Sequence, residues 1–192
     1  MSYLQPNNPI IVNPEGVDIC IQNIQQSLKA GLPWLKHSFG RAYEFKEKDS
    51  SDKIVKIPKC YDGKSDYIDV RPNDKLQSMS FIVCTGPEQT VKYDPFSINY
   101  YSRDIAVIFW IDLRKAYNHV NGIYTEKLKN EVHQLLKYEC FNVNSVNSYT
   151  DERIEDVYKG FSINDVKTQF MMYPYASFRF DLTIGYTQPC QN

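Results

Sequence analysis

Almost every feature that would announce a reaction is missing from this chain of 192 residues. No stretch approaches the roughly 20 consecutive apolar residues needed to cross a bilayer, so no membrane association is expected. The five cysteines (Cys20, Cys60, Cys84, Cys140, Cys190) are scattered and odd in number. A secreted disulfide framework favours an even count in a smaller, cysteine-dense chain, and there is no CxxC pair to nucleate a zinc site. Free thiols in a reducing cytoplasm are expected. The eight glycines are isolated, and none opens a helix after a strand, so no phosphate loop is expected. His37, His119 and His133 have no ligand or catalytic partner at short spacing. No catalytic residue, cofactor or metal is therefore assigned. The 22 basic and 23 acidic side chains leave a net charge of −1 and no Lys/Arg tract, which argues against duplex DNA binding by phosphate neutralisation. The opening MSYLQPNNPIIVNPEG lacks the basic and apolar regions of a signal peptide, so none is expected.

What the chain does have is pattern. With 42% hydrophobic and 14% aromatic residues it has the makings of a folded core. In Asp104–Leu113, Ile105, Val107, Phe109, Ile111 and Leu113 share one face; Asp104, Ala106, Ile108, Trp110 and Asp112 share the other. Period two with one wholly apolar side predicts a strand. The last strand, Phe178–Tyr186, alternates as cleanly. Residues 1–12 are Pro/Asn-rich and read as an extended arm, leaving 13–192 as a single domain. Asn13-Pro14-Glu15 reads as a helix start. Val17, Ile21, Ile24 and Leu28 then draw one stripe, with Gly31 and Pro33 as the stop.

Short strands are expected at Ala42–Phe45, Lys53–Ile57 (stopped by Pro58), Tyr67–Val70 and Met79–Val83 (broken by Gly86-Pro87). Residues 86–103 and 140–165 read as long loops, the second with a helical turn in DERIEDVY. A helix from Thr125 to about Tyr138 turns Leu128, Val132, Leu135 and Leu136 inward. Thr168–Tyr173 and Phe178–Tyr186 read as a hairpin across Pro174–Ser177. The expected class is α+β, an antiparallel or mixed sheet packed by two main helices.

The candidate functional residues are aromatic. Tyr93, Phe96, Tyr100 and Tyr101 crowd one segment with only Lys92 and Arg103 nearby, which suits a protein interface better than a nucleic-acid stacking platform. Trp110 joins them, because it faces away from the apolar side of its strand and needs cover; a neighbouring subunit is the expected cover. A rival reading is a divergent metal nuclease using Asp66 or Asp69 with the Glu44-Phe45-Lys46 triplet. In that reading the order is reversed from the usual Asp before Glu-x-Lys, and charges on an edge strand are ordinary. A third is a small monomeric binding module.

Helix, run of strands, strong strand, helix, closing strand: this order resembles the tail-terminator and head–tail connector proteins of tailed bacteriophages, including neck ring proteins of crAss-like phages. It is carried by VDICIQNIQQSL, DIAVIFWIDL, EKLKNEVHQLL and FRFDLTIGY, between about Asn13 and Thr187. The resemblance implies a tail-terminator-like fold and a virion protein assembled in the host bacterial cytoplasm. It implies a homo-oligomeric ring of six or twelve copies, contacting other neck, portal-side and tail proteins. DNA would pass through its channel without sequence-specific binding. It carries no catalytic residues.

Overall fold

The computed structural model describes residues 8–49, 51–73, 75–92, 99–116, 125–140, 142–151 and 153–188. Helix α1 (Val17–Gly31) precedes β1 (His37–Lys48), β2 (Ile54–Tyr61), β3 (Tyr67–Asp69) and the two long strands β4 (Ser78–Lys92) and β5 (Asn99–Asp112). Then come α2 (Leu113–Ala116), α3 (Thr125–Tyr138), β6 (Val143–Thr150), α4 (Ile154–Val157), a 3-10 turn (Thr168–Met171) and β7 (Tyr175–Gln188). All seven strands join one mixed sheet in the order β3-β2-β1-β4-β5-β7-β6. Among the described residues only β1 and β4 pair in parallel. The class is α+β, with the sheet mixed.

Strand β5 organises the interior because both of its faces are apolar. Ile105, Val107, Phe109 and Ile111 pack with Phe178, Phe180, Leu182 and Ile184 of β7 beneath α1 and α3. Helix α1 delivers Val17, Ile21, Ile24 and Leu28 to that layer, and α3 delivers Leu128, Val132, Leu135 and Leu136, as their spacing predicts. The helices touch where Gly31 meets Leu135; a β-carbon on Gly31 would lie 2.5 Å from a Leu135 methyl. The glycine is there for close approach, and a side chain would push the helices apart.

The other face forms a second core. Ile108 and Trp110 pack there with Phe39, Met79 and Phe81, under Val157, Tyr158, Ile163, Val166 and Phe170. Residues 140–165, expected as a loop, thus supply β6 and then the start of this cover. The 86–103 segment is likewise strand on both sides of residues 93–98, which lie outside the described residues. Gly86-Pro87 does not break β4; its register on β5 shifts between Cys84 and Glu88, so the dipeptide is absorbed in a bulge. Pro58 sits within β2 opposite Glu44.

Two other local expectations fail for stated reasons. Asn13 is not the helix cap: its φ is 55°, whereas a cap needs extended backbone, and α1 starts after Gly16 at φ 54°. Thr168–Tyr173 forms no hairpin strand, because the chain turns there to carry Phe170 onto Trp110; β7 instead pairs from Tyr175 with Asp112 of β5. Of the N-terminal arm, residues 8–12 are described, and they are not detached. Gln25 donates to the Pro9 carbonyl at 2.7 Å, and the Ile11 N–H donates to Gln22 Oε1 at 2.8 Å.

Candidate functional site: sheet edges and a charged cleft

Trp110 does not wait for a neighbour. It is 0% exposed, stacked on Tyr175 at 5.0 Å and met edge-on by Phe170 at 6.0 Å. Its indole N–H donates to the Phe170 carbonyl at 2.9 Å. The cover that its strand demands comes from this chain's own 3-10 turn, which corrects the expectation of an interface at this residue.

Tyr100 and Tyr101 lie at the far end of β5, about 33 Å from Trp110 at strand rise. Tyr101 stacks on Tyr186 at 5.7 Å on the helix side. The Tyr186 hydroxyl donates to Glu88; burial and that acid both raise its pKa. Tyr100 lies across Gly185 and exchanges hydrogen bonds with the Asn144 side chain of β6, the shorter at 2.8 Å. Tyr93 and Phe96 fall outside the described residues. Trp110 is therefore apart from Tyr100 and Tyr101, and those two are half-buried by their own chain.

The nuclease set is not assembled either. Glu44 on β1 pairs with Lys56 at 3.0 Å. Asp69 on β3 is two strand spacings away, about 10 Å. Asp69 Oδ2 accepts from the Arg71 guanidinium at 2.8 and 2.9 Å, and Oδ1 accepts from the Arg71 backbone N–H at 2.8 Å. Asp66 accepts from the Tyr67 N–H at 2.7 Å, and Lys46 is exposed on the tail of β1. Among the described residues no group of three His, Cys, Asp or Glu is placed to hold a metal.

Asp69 and Arg71 stand on the wall of a cleft of about 790 Å³, floored by Phe39, Ile68, Leu76 and Phe170. Arg71 also reaches Asp165 at 3.3 Å and the Ser162 carbonyl at 3.3 Å, tying the end of β3 to the segment that covers the second core. Burial disfavours the charge on Arg71, but Asp69 and Asp165 more than offset it. His37, on the same wall, is 6% exposed, and its Nδ1 has no hydrogen-bond partner. Burial, with Lys29 and Lys36 nearby, lowers its pKa, so the ring is neutral at pH 7. This cleft holds an ion-pair clamp and an imidazole with a bare Nδ1, and its described lining has no Ser, Thr or Cys.

Sequence reasoning missed a third group. On β1–β3 the Tyr67 ring meets Tyr43, Phe45 and Tyr61 at 5.9, 5.3 and 6.0 Å. Arg41 lies over Tyr43 and Lys59 over Phe45, a pattern that suits stacking on nucleic acid. Those cations are already paired, with Asp18 and Glu47, so they offer no free charge for phosphate. The alternation of Tyr43 with Phe45 was the available signal.

The sheet edges differ sharply. Strand β3 is three residues long. Beyond Ile82, the edge of β4 has no β1 partner, and it carries the Pro87 bulge and Glu88. Short length, proline, charge and bulges are how edges are blunted. Strand β6 shares only the bulges: Val-Asn-Ser-Val-Asn-Ser-Tyr-Thr runs eight residues with no charge and no proline. Its inner edge pairs with β7 through two register shifts, and among the described residues nothing pairs with its outer edge.

No family model matches the chain, and no curated protein matches it. Among the described residues no helix is long and apolar enough to cross a membrane.

Proposed function

We propose that this protein is a structural subunit of the neck of a tailed bacteriophage, one copy in a head–tail connector or tail-terminator ring around the DNA channel. The observation that carries the reading is the open outer edge of β6, uncharged and eight residues long, on a sheet whose two faces are filled by the chain's own side chains. With both faces occupied, the edge is where another chain gains the most hydrogen bonds at the least desolvation cost. The opposite end of the sheet, β3, is short and charged. Two unlike ends are what a head-to-tail ring requires, since each copy must present two different surfaces. The order of elements points to a phage neck among ring-forming proteins. A fold in the tail-terminator class would follow from the same reading.

Mass photometry and negative-stain electron microscopy of the purified protein, alone and with its neck partners, test this. Closed rings of about six or twelve copies are expected, together with detection of the protein in virions by mass spectrometry. A stable monomer under both conditions that is absent from virions overturns it.

A further inference from the structure

We propose that the contact between copies is a strand exchange in which the β6 edge of one copy pairs with the segment Asn8–Val12 of the next. The inference rests on the ring reading and names the partner of that edge. Residues 8–12 run along α1 with alternate backbone groups used. The Pro9 carbonyl and the Ile11 N–H face the helix, where Gln25 and Gln22 hold them. Backbone groups of alternate residues point in opposite directions. The backbone groups of Ile10 and Val12 have no hydrogen-bond partner among the described residues. Pro9, which has no N–H to give, occupies a position facing inward. The segment is thus anchored to α1 at Pro9 and Ile11, with the backbone of Ile10 and Val12 left to pair elsewhere.

Its side chains favour the same occupant. Val12 is 82% exposed and Ile10 46%, two β-branched residues facing solvent. Charge selects between possible partners. Asn8–Val12 carries no charge, like β6, so their pairing buries no ion, whereas the tails of β1 and β2 carry Glu47, Lys48 and Lys56. Position allows a ring but not self-pairing. The arm lies on the β1 flank of α1, beside Gly40, Arg41 and Tyr43. The other flank of α1 meets α3, which lies over β6, where Lys129 reaches Asp151 and the ring of Tyr149. Arm and edge are on opposite sides of one copy, so each copy donates to one neighbour and receives from the other.

Two variants test the exchange by complementation. Ile10→Asp with Val12→Asp disables the arm and leaves the edge; Ser145→Lys with Asn147→Lys disables the edge and leaves the arm. All four positions are exposed, and Asn147→Lys gives up the bond to Thr183. Circular dichroism is therefore compared with wild type, and Ser145→Lys alone, which keeps that bond, takes the edge variant's place where the spectrum changes. Each alone should lose ring formation by more than about tenfold at fixed concentration, because an unpaired charge would have to be buried at every contact. Mixed, they should form a one-to-one dimer of two 22.5 kDa chains and stop there, since one intact contact cannot propagate. Rings from the arm variant alone, or a mixture that stays monomeric, overturns the exchange while the ring reading stands. A wild-type protein that forms no ring with its partners overturns both.

Discussion

Replacing Trp110 with Phe tests whether the second face of the sheet is sealed from within. The indole has the largest of the fully buried side chains. Truncation to Ala would cost about 3–5 kcal/mol in transfer and cavity terms. An orphaned Phe170 carbonyl adds about 1–3 kcal/mol. That sum rivals the whole stability of an ordinary domain, roughly 5–15 kcal/mol, so an Ala variant risks reporting only that nothing folded. Phe keeps an aromatic ring against Tyr175 and Phe170 but loses the N–H donor and part of the ring area. The orphaned carbonyl and a partial cavity together predict a loss of about 2–3 kcal/mol. The measurement is urea unfolding in the Ser145→Lys/Asn147→Lys background, where assembly is disabled, at two protein concentrations an order of magnitude apart. Internal packing predicts the same loss at both. A loss under about 0.5 kcal/mol, as expected for a surface substitution, would show that the 3-10 turn does not seal Trp110. A loss that appears only when copies associate would return the indole to a subunit contact.

Two further outcomes follow from buried charge. Lys129 has a nearly buried ammonium held by Asp151 and by the exposed Glu126; burial lowers its pKa, and the two acids more than reverse that. Asp151→Asn should cost about 2 kcal/mol by urea unfolding, less than a fully buried pair because Glu126 still compensates, and adding Lys129→Met should recover most of it; an unchanged midpoint for Asp151→Asn refutes the pairing. His37 titrates near 6.5 when unfolded and lower when folded, so below that pH the unfolded chain binds more protons and stability falls as pH drops toward the folded value. His37→Phe should flatten this limb relative to wild type, and parallel stability profiles between pH 7 and 5 would refute it.

The parts of the fold legible in the sequence are those whose partners share one repeating pattern. The period of two in β5 and β7 and the helical stripes of α1 and α3 each bury against a regular neighbour, so local alternation and tertiary contact agree. Strand β6 was not legible, because Asn-Ser-Val-Asn-Ser has no apolar face. It is held by its ladder to β7 and by polar side chains: Asn147 donates to Thr183 at 2.9 Å and Ser148 to Asp181 at 3.3 Å. Thr183 and Asp181 lie on the side of β7 that alternation assigns to solvent. The cover over Trp110 was hidden for another reason. Val157, Tyr158, Ile163, Val166 and Phe170 follow neither period, since an irregular segment packs wherever its side chains fit. Sequence identified the face that needed cover, and it did not identify the cover as internal.

That internal seal changes where assembly must be sought. An aromatic face open to solvent would bind many partners through non-directional burial. A sealed sheet leaves directional backbone pairing at its ends, and there the chain protects two edges and leaves β6 open. The open edge is also weakly apolar, Asn and Ser holding most of its outward positions, so a single contact through it would be modest. In the proposed ring this is an advantage. Each contact alone is too weak to trap misassembled pairs, while closure makes the last contact intramolecular and raises its effective concentration. Assembly should then switch sharply from monomers to closed rings with few open chains between, a distribution that mass photometry reads directly. A ladder of dimers, trimers and tetramers at all concentrations would mean that the contact is strong on its own and that the polar edge is not what sets it.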